Sequence, residues 1–380
     1  MTDPVILHPD TDFIRDVARG GGGEMKKCFQ CATCSSTCGL STESRPFPRQ
    51  QIVEAQWGMA DRLSGDPAIW LCHNCGDCTT RCPRGAHPAE TLSAIRCAVI
   101  RRLAFPRFMG GIFAIPESAV AVLAFSAILL LTIALLPLHH AGSSALVFAQ
   151  MFPKARLEPF FYVISGWILL ALAVSAVRFA GALRKAGAGG PILSNLPPAL
   201  LEIASHRRFA ECGEQQGRRW GHLLLLAGFA GLAVMGTLVG IGSMFGLIDT
   251  PIAFTNPLKL FANLCALLLV LGAGILVWNR LRDPQTRART QFADWFLLIL
   301  IGGAGLTGLL SEMLRLMQLQ TAMFTVYYTH LTLVLTLFLG APYSKLVHFL
   351  YRTMAMAATR QESSSSGWPI TRRRQSPATS

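Results

Sequence analysis

Charge is scarce in this sequence. Of its 380 residues only 14% are Asp, Glu, Lys or Arg, while 52% are hydrophobic, a balance that argues against an ordinary soluble protein. Acid is scarcer than base: 21 Asp and Glu face 34 Lys and Arg, for a formal charge of +13. In a chain with long apolar runs, such a surplus marks the loops on one side of a membrane, and we read it so rather than as a nucleic-acid surface. Met1–Asp16 has no basic stretch leading into an apolar core, so no secretory signal is expected. Within residues 28–103 no segment alternates apolar and polar residues like a half-buried strand, which points to a helical domain there.

What is present is unevenly spread. Residues 1–110 are polar and hold nine of the eleven cysteines. Residues 1–27 read as a flexible leader ending in the run Gly20–Gly23, and 28–110 as a cysteine domain. Arg49–Leu63 and Pro88–Leu103 have helical periodicity; in the second, Leu92, Ile95, Val99 and Leu103 form one stripe behind a proline suited to a first turn. From 111 to 351 come six apolar segments, 117–137, 160–183, 220–247, 257–279, 292–317 and 324–350, each near the length of about 20 residues that spans a bilayer. Arginines gather before the first segment (Arg101, Arg102, Arg107), between the second and third (Arg184, Arg207, Arg208, Arg218, Arg219), and between the fourth and fifth (Arg280, Arg282, Arg287, Arg289). More follow in the tail, at Arg352, Arg360 and Arg372–Arg374. Six crossings put all of these, with both termini, on the cytoplasmic side of a multi-pass membrane protein. Residues 352–380 read as a disordered tail.

The cysteines fall in two matching runs, Cys28-x2-Cys31-x2-Cys34-x3-Cys38 and Cys72-x2-Cys75-x2-Cys78-x3-Cys82-Pro83. Three cysteines two residues apart can wrap one cubane, and the fourth leaves on a departing segment to ligate the other cluster. The expected sets are Cys28, Cys31, Cys34 and Cys82 for one 4Fe-4S cluster, and Cys72, Cys75, Cys78 and Cys38 for the second. Zinc ribbons use paired C-x2-C instead, and disulfides do not suit a reducing compartment. The fold expected is all-α, an α-helical ferredoxin-like domain with two 4Fe-4S clusters followed by a six-helix transmembrane bundle. Cys97 and Cys265 read as packing residues, Cys212 as a loop residue and His73 as a spacer.

Ionisable residues at membrane depth are functional candidates. His330 and His348 stand 18 residues apart in the sixth segment; on one helix that is about five turns and about 27 Å, with both rings on one face. This suits axial ligation of stacked haem b groups. His222 opens the third segment and is the expected partner of His348 at an inner haem. His330 either ligates an outer haem or bonds a neighbouring helix; near it, Met235 reads as packing, and His139 and His140 as interfacial. A quinone headgroup is expected near His206, His222 and His348. Glu312 and Arg315, three apart, suit an ion pair.

The stretches Cys28-Phe29-Gln30-Cys31-Ala32-Thr33-Cys34, Trp70-Leu71-Cys72-His73-Asn74-Cys75 and Arg81-Cys82-Pro83-Arg84-Gly85 resemble the iron–sulfur C subunit of heterodisulfide reductase. The membrane part resembles that system's cytochrome b subunit, related to the gamma subunit of respiratory nitrate reductase, in which one helix carries two haem-binding histidines 18 residues apart. Both parts on one chain, with Pro46-Phe47-Pro48-Arg49, Ala55-Gln56-Trp57-Gly58 and Ala104-Phe105-Pro106, resemble the C subunits of the quinone-interacting membrane-bound oxidoreductases. That resemblance implies an electron-transfer component of an oxidoreductase. It would work with the two flavoprotein subunits of such a complex, A and B, with adenylylsulfate (APS) reductase and with the membrane quinone in sulfur metabolism. The family's outer haem ligand in the third helix has no matching histidine here.

Overall fold

The computed structural model of the chain describes residues 8–113, 115–135, 148–205, 216–250 and 252–360. It is helical throughout, and no strand occurs among the described residues. Seven helices precede the first apolar span: α1 (Thr11–Val17), α2 (Thr33–Ser36), α3 (Arg49–Gln56), α4 (Ala60–Ser64), α5 (Ala68–Leu71), α6 (Asp77–Thr80) and α7 (Pro88–Leu103). Then come α8 (Pro116–Leu135), α9 (Lys154–Lys185), α10 (Ile192–Ser205), α11 (Gln216–Met244), α12 (Pro257–Arg282), α13 (Pro284–Arg289), α14 (Phe292–Leu316), α15 (Gln320–Gly340) and α16 (His348–Thr359). The described residues form two compact units. One takes in those of Met1–Gly111, Leu172–Arg207 and Val347–Ser380, the other those of Ile112–Ala171 and Arg208–Leu346.

The first unit is organised around α7, whose predicted stripe Leu92, Ile95, Val99 and Leu103 is buried. The expected flexible leader is corrected for its described residues, 8–27. Asp10 caps α1 by accepting from the Phe13 amide at 2.9 Å, and Phe13, Val17 and Met25 enter the core. The glycine run that suggested flexibility serves close packing: a Cβ on Gly22 would lie 2.8 Å from the Val17 carbonyl oxygen and 3.3 Å from Ala94 Cβ. Arg101 reaches Asp16 at 3.0 Å, and Arg102 joins Asp10 at 2.5 Å to Asp61 at 2.8 Å.

Distant segments complete this core. Trp70 of α5 meets Phe179 of α9 with ring centroids 5.9 Å apart and Tyr351 of α16 at 4.8 Å. Arg178 donates to the carbonyls of Leu103 and Ala104 at the end of α7. The expected tail is corrected at its start, because Tyr351 and Thr353–Thr359 are buried on α16; residues 361–380 lie outside the described ones. The segments 172–205 and 347–360 likewise join this unit, although sequence reading assigned 111–351 to the membrane domain.

The second unit holds α8, α11, α12, α14, α15 and the first half of α9. Among the described residues six helices are long and apolar enough to cross a membrane, at Pro116–Leu135, Lys154–Lys185, Arg218–Met244, Pro257–Arg282, Phe292–Leu316 and Gln320–Gly340. Apolar side chains such as Val234, Leu238, Leu267 and Ile299 face outward, as lipid-facing surfaces require. α11 and α12 cross closely: a Cβ on Gly228 would lie 2.5 Å from the Cys265 carbonyl oxygen, and one on Gly272 2.4 Å from the Leu225 amide nitrogen. Small residues let helix backbones approach where lipid supplies no hydrophobic drive.

The expected sixth segment, 324–350, is not one helix. α15 stops at Gly340, a turn carries Pro342, and α16 starts afresh at His348. Proline has no N–H to continue the ladder. One continuous helix carrying both His330 and His348 is corrected accordingly.

Candidate metal centre

The two cysteine runs fold alike. In the first, Gln30 (φ 59°) and Ala32 (φ 68°) adopt left-handed backbone; in the second, Asn74 (φ 54°) and Gly76 (φ 91°) do so at the same offsets. The reversals curl each C-x2-C-x2-C segment into a cup. A single helical turn carries the third cysteine of each, Cys34 on α2 and Cys78 on α6, ahead of Cys38 and Cys82. Donors face the sulfurs: Gln30 Nε2 to Cys28 Sγ and the Asn74 amide to Cys72 Sγ, both at 3.3 Å, and the Ala86 amide to Cys82 Sγ at 3.4 Å. Such bonds favour negative charge on sulfur and tune a cluster's potential.

The eight thiols are gathered in two neighbouring groups. Cys28, Cys31, Cys34 and Cys82 line one open pocket with Phe29, Arg49 and Arg84. Burial first, then the charges of Cys28, Cys31 and Cys82, push the Cys34 thiol up. Cys38 is pushed up to about 12 by burial and by Cys72 and Cys75. Cys78 is raised in the same way, by burial and by Cys72, Cys75 and Cys38. Cys34 acts on both Cys38 and Cys78, so the groups adjoin. Thiolates crowded like this oppose each other's ionisation unless cations lie among them. Among the described residues no three His, Cys, Asp or Glu are grouped to hold a single metal ion. Four cysteines in each set are the donor number that a 4Fe-4S cubane takes.

Cys34 is buried and Cys31 exposed. Phe29, also exposed, is covered by the Arg84 guanidinium 4.3 Å from its ring centroid. Two further arginines serve the second loop and were missed in the sequence. Arg96 of α7 donates to the Ile69 carbonyl at 2.6 Å and the Cys72 carbonyl at 2.8 Å. Arg352 of α16 donates to the Trp70 carbonyl at 3.0 Å and the Cys72 carbonyl at 3.4 Å, and meets His73 Nδ1 at 3.3 Å. No local motif marks Arg352, which is 280 residues from Cys72.

The histidines are not gathered in one unit. His222 lies half-buried on α11 and His330 half-buried on α15, whereas His348 opens α16 in the other unit. His330 bonds a neighbouring helix: Nδ1 is 2.9 Å from the Ala304 carbonyl of α14 and 3.4 Å from Thr307 Oγ1. A carbonyl only accepts, so Nδ1 carries the proton and Nε2 keeps its lone pair. A Cβ on Gly308 would lie 3.0 Å from His330 Cε1, so glycine there makes room for the ring. Glu312 pairs with Arg315 at 2.9 Å, as expected, and also with Lys259 at 3.4 Å. Cys265 is buried on α12 and Cys97 half-buried. His139, His140, His206 and Cys212 lie outside the described residues.

Residues 24–86 match the family described as 4Fe-4S dicluster domain. Over 87 residues the chain is 37% identical to the C subunit of the H(2):CoB-CoM heterodisulfide,ferredoxin reductase of Methanothermobacter thermautotrophicus, covering 23% of this chain and 47% of the relative. It is 33% identical over 86 residues to the C subunit of the ferredoxin:CoB-CoM heterodisulfide reductase of Methanosarcina mazei, covering 23% and 53%. The chain thus spans about half the length of these relatives, and its N-terminal part is an iron–sulfur domain like that of the heterodisulfide reductase C subunits. A longer likeness is to citrate utilization protein B of Escherichia coli, 26% identical over 366 residues and covering 87% of this chain and 89% of the relative. No solved structure matches. Residues 111–367, more than half of the sequence, match the family described as citrate utilization protein B, and the chain, with its dicluster domain ahead of six apolar helices, belongs to that family.

Proposed function

We propose that this chain is the quinone-reactive subunit of a membrane oxidoreductase, passing electrons between cytoplasmic flavin or iron–sulfur partners and the quinone pool. The observation behind this reading is two adjoining fourfold thiol groups on a chain with six apolar helices. Cys28, Cys31, Cys34 and Cys82 would hold one 4Fe-4S cluster, and Cys72, Cys75, Cys78 and Cys38 the other. When bound, the clusters supply one-electron relay. The chain contributes the cups, the N–H···S donors and the burial that set potentials. His330, with Nδ1 committed to Ala304, would hold a haem iron through Nε2. His222 and His348 remain the proposed inner haem b pair, on their sequence positions alone.

For the cytoplasmic partner, the sequence resemblance favours a pair of flavoprotein subunits and APS reductase. The end-to-end likeness to a citrate utilization protein favours a second reading, in which the electron donor is a protein of citrate use. Purified full-length protein is expected to contain about eight non-haem irons, four per cubane, and to show b-type bands in a reduced-minus-oxidised spectrum. It should also be oxidised by a quinone analogue. Iron without b-type bands or quinone reactivity would leave an anchored ferredoxin and sink the proposal. Mixing the oxidised protein with each reduced candidate partner, and following cluster bleaching, separates the two partner readings.

A further inference from the structure

The proposed function assigns work to cysteines and histidines and leaves Arg96 and Arg352 unused. Both guanidiniums converge on one carbonyl, that of Cys72. They arrive from different helices, α7 and α16. Between them they also take the carbonyls of Ile69 and Trp70, where α5 ends and the second cysteine cup begins. A bland role is available, since the last carbonyls of a helix need donors. A single arginine, or water, would meet that need. Two half-buried permanent cations on the carbonyl of a thiolate residue do more, because they favour whatever extra negative charge the sulfurs and irons acquire.

We propose that Arg96 and Arg352 are positioning residues for the second cluster, fixing the Cys72 carbonyl and raising that cluster's reduction potential. The proposal rests on the reading that Cys72, Cys75, Cys78 and Cys38 hold a cubane. Because Arg352 lies on α16, the potential of this cluster is tied to a helix 280 residues away in sequence.

The test uses the full-length protein in detergent, with iron content and an EPR-monitored redox titration of each cluster. Arg352→Gln is expected to retain the iron and lower one midpoint by a tenfold change in the reduced-to-oxidised ratio, about 59 mV for a one-electron couple. The other midpoint stays in place. Arg352→Lys, which keeps the charge but loses the planar fork, should fall between, and Arg96→Gln should move the same midpoint. Unchanged midpoints with full iron would overturn the proposal, as would an equal shift of both clusters. If Arg352→Gln loses iron, Arg352→Lys decides: a shifted single midpoint supports the proposal, and wild-type midpoints reject it. A wild-type preparation with only about four irons would instead reject the two-cluster reading itself.

Discussion

Gly76 and Ala32 occupy the same place in the two cysteine cups, each with left-handed backbone. An L-residue in that conformation costs about 1 kcal/mol or more. Gly76→Ala is expected to keep its iron but to lose its cluster absorption at a lower temperature, by about 1 kcal/mol of stability. Ala32→Gly should move little, since relief of strain offsets the entropy of glycine. At this scale the two cysteine runs were legible from their spacing, and the same spacing carries the proposed crossed sharing. The arginines were not, because a residue that acts on a backbone carbonyl from 280 positions away leaves no local signature. His330 illustrates the halfway case. Its place in an apolar segment marked it as unusual, but its hydrogen bond to Ala304 depends on helix packing that spacing does not encode.

At the scale of elements, length and hydropathy revealed six spans, with ends displaced by a few residues. They also ran the sixth span through Pro342 and into α16, because apolar residues continue on both sides of the break. What separates them is burial of a different kind, since α16 packs Tyr351 fully against Trp70 and Phe179. Tyr351→Ala should destabilise the iron–sulfur unit by about 3 kcal/mol or more, the usual result of emptying a large aromatic site, seen as earlier thermal loss of cluster absorption. The crossing of α11 and α12 offers a second check. Gly228→Val would drive a side chain into the Cys265 carbonyl and the Leu269 amide, each 2.5 Å from the Cβ position. Folded yield in detergent should drop while a Val in place of the open Gly236, which has no neighbour within 4 Å, leaves it unchanged.

For the molecule as a whole, two independent lines bear on sidedness. Basic residues cluster before α8, after α9, after α12 and on α16. Separately, the N-terminal domain, the end of α9 with α10, and α16 share one compact unit. Six crossings return the chain to its starting side before each of those segments. With the positive-inside rule, that side is proposed to be the cytoplasm. A small epitope inserted between α8 and α9 is expected to be reached by antibody from outside intact spheroplasts, and one after residue 360 only after lysis. The opposite labelling would reverse the orientation. The even number of spans was readable in the sequence; the participation of three separate stretches in one core was not, since each looks unremarkable alone.

That shared core has a consequence for biogenesis. Domains usually form in order of synthesis, N-terminal first, as chain emerges at roughly 5–20 residues per second. Here the first domain to leave the ribosome cannot close around Trp70 until Phe179 and then Tyr351 have been made. Maturation of residues 28–110 waits on α16, which is translated after the six apolar helices. Ribosome-arrested chains ending before α16 should accordingly remain protease-sensitive in residues 28–110, whereas chains extended past residue 360 should become resistant. Such an order would make a matured iron–sulfur unit a record that translation had passed α16.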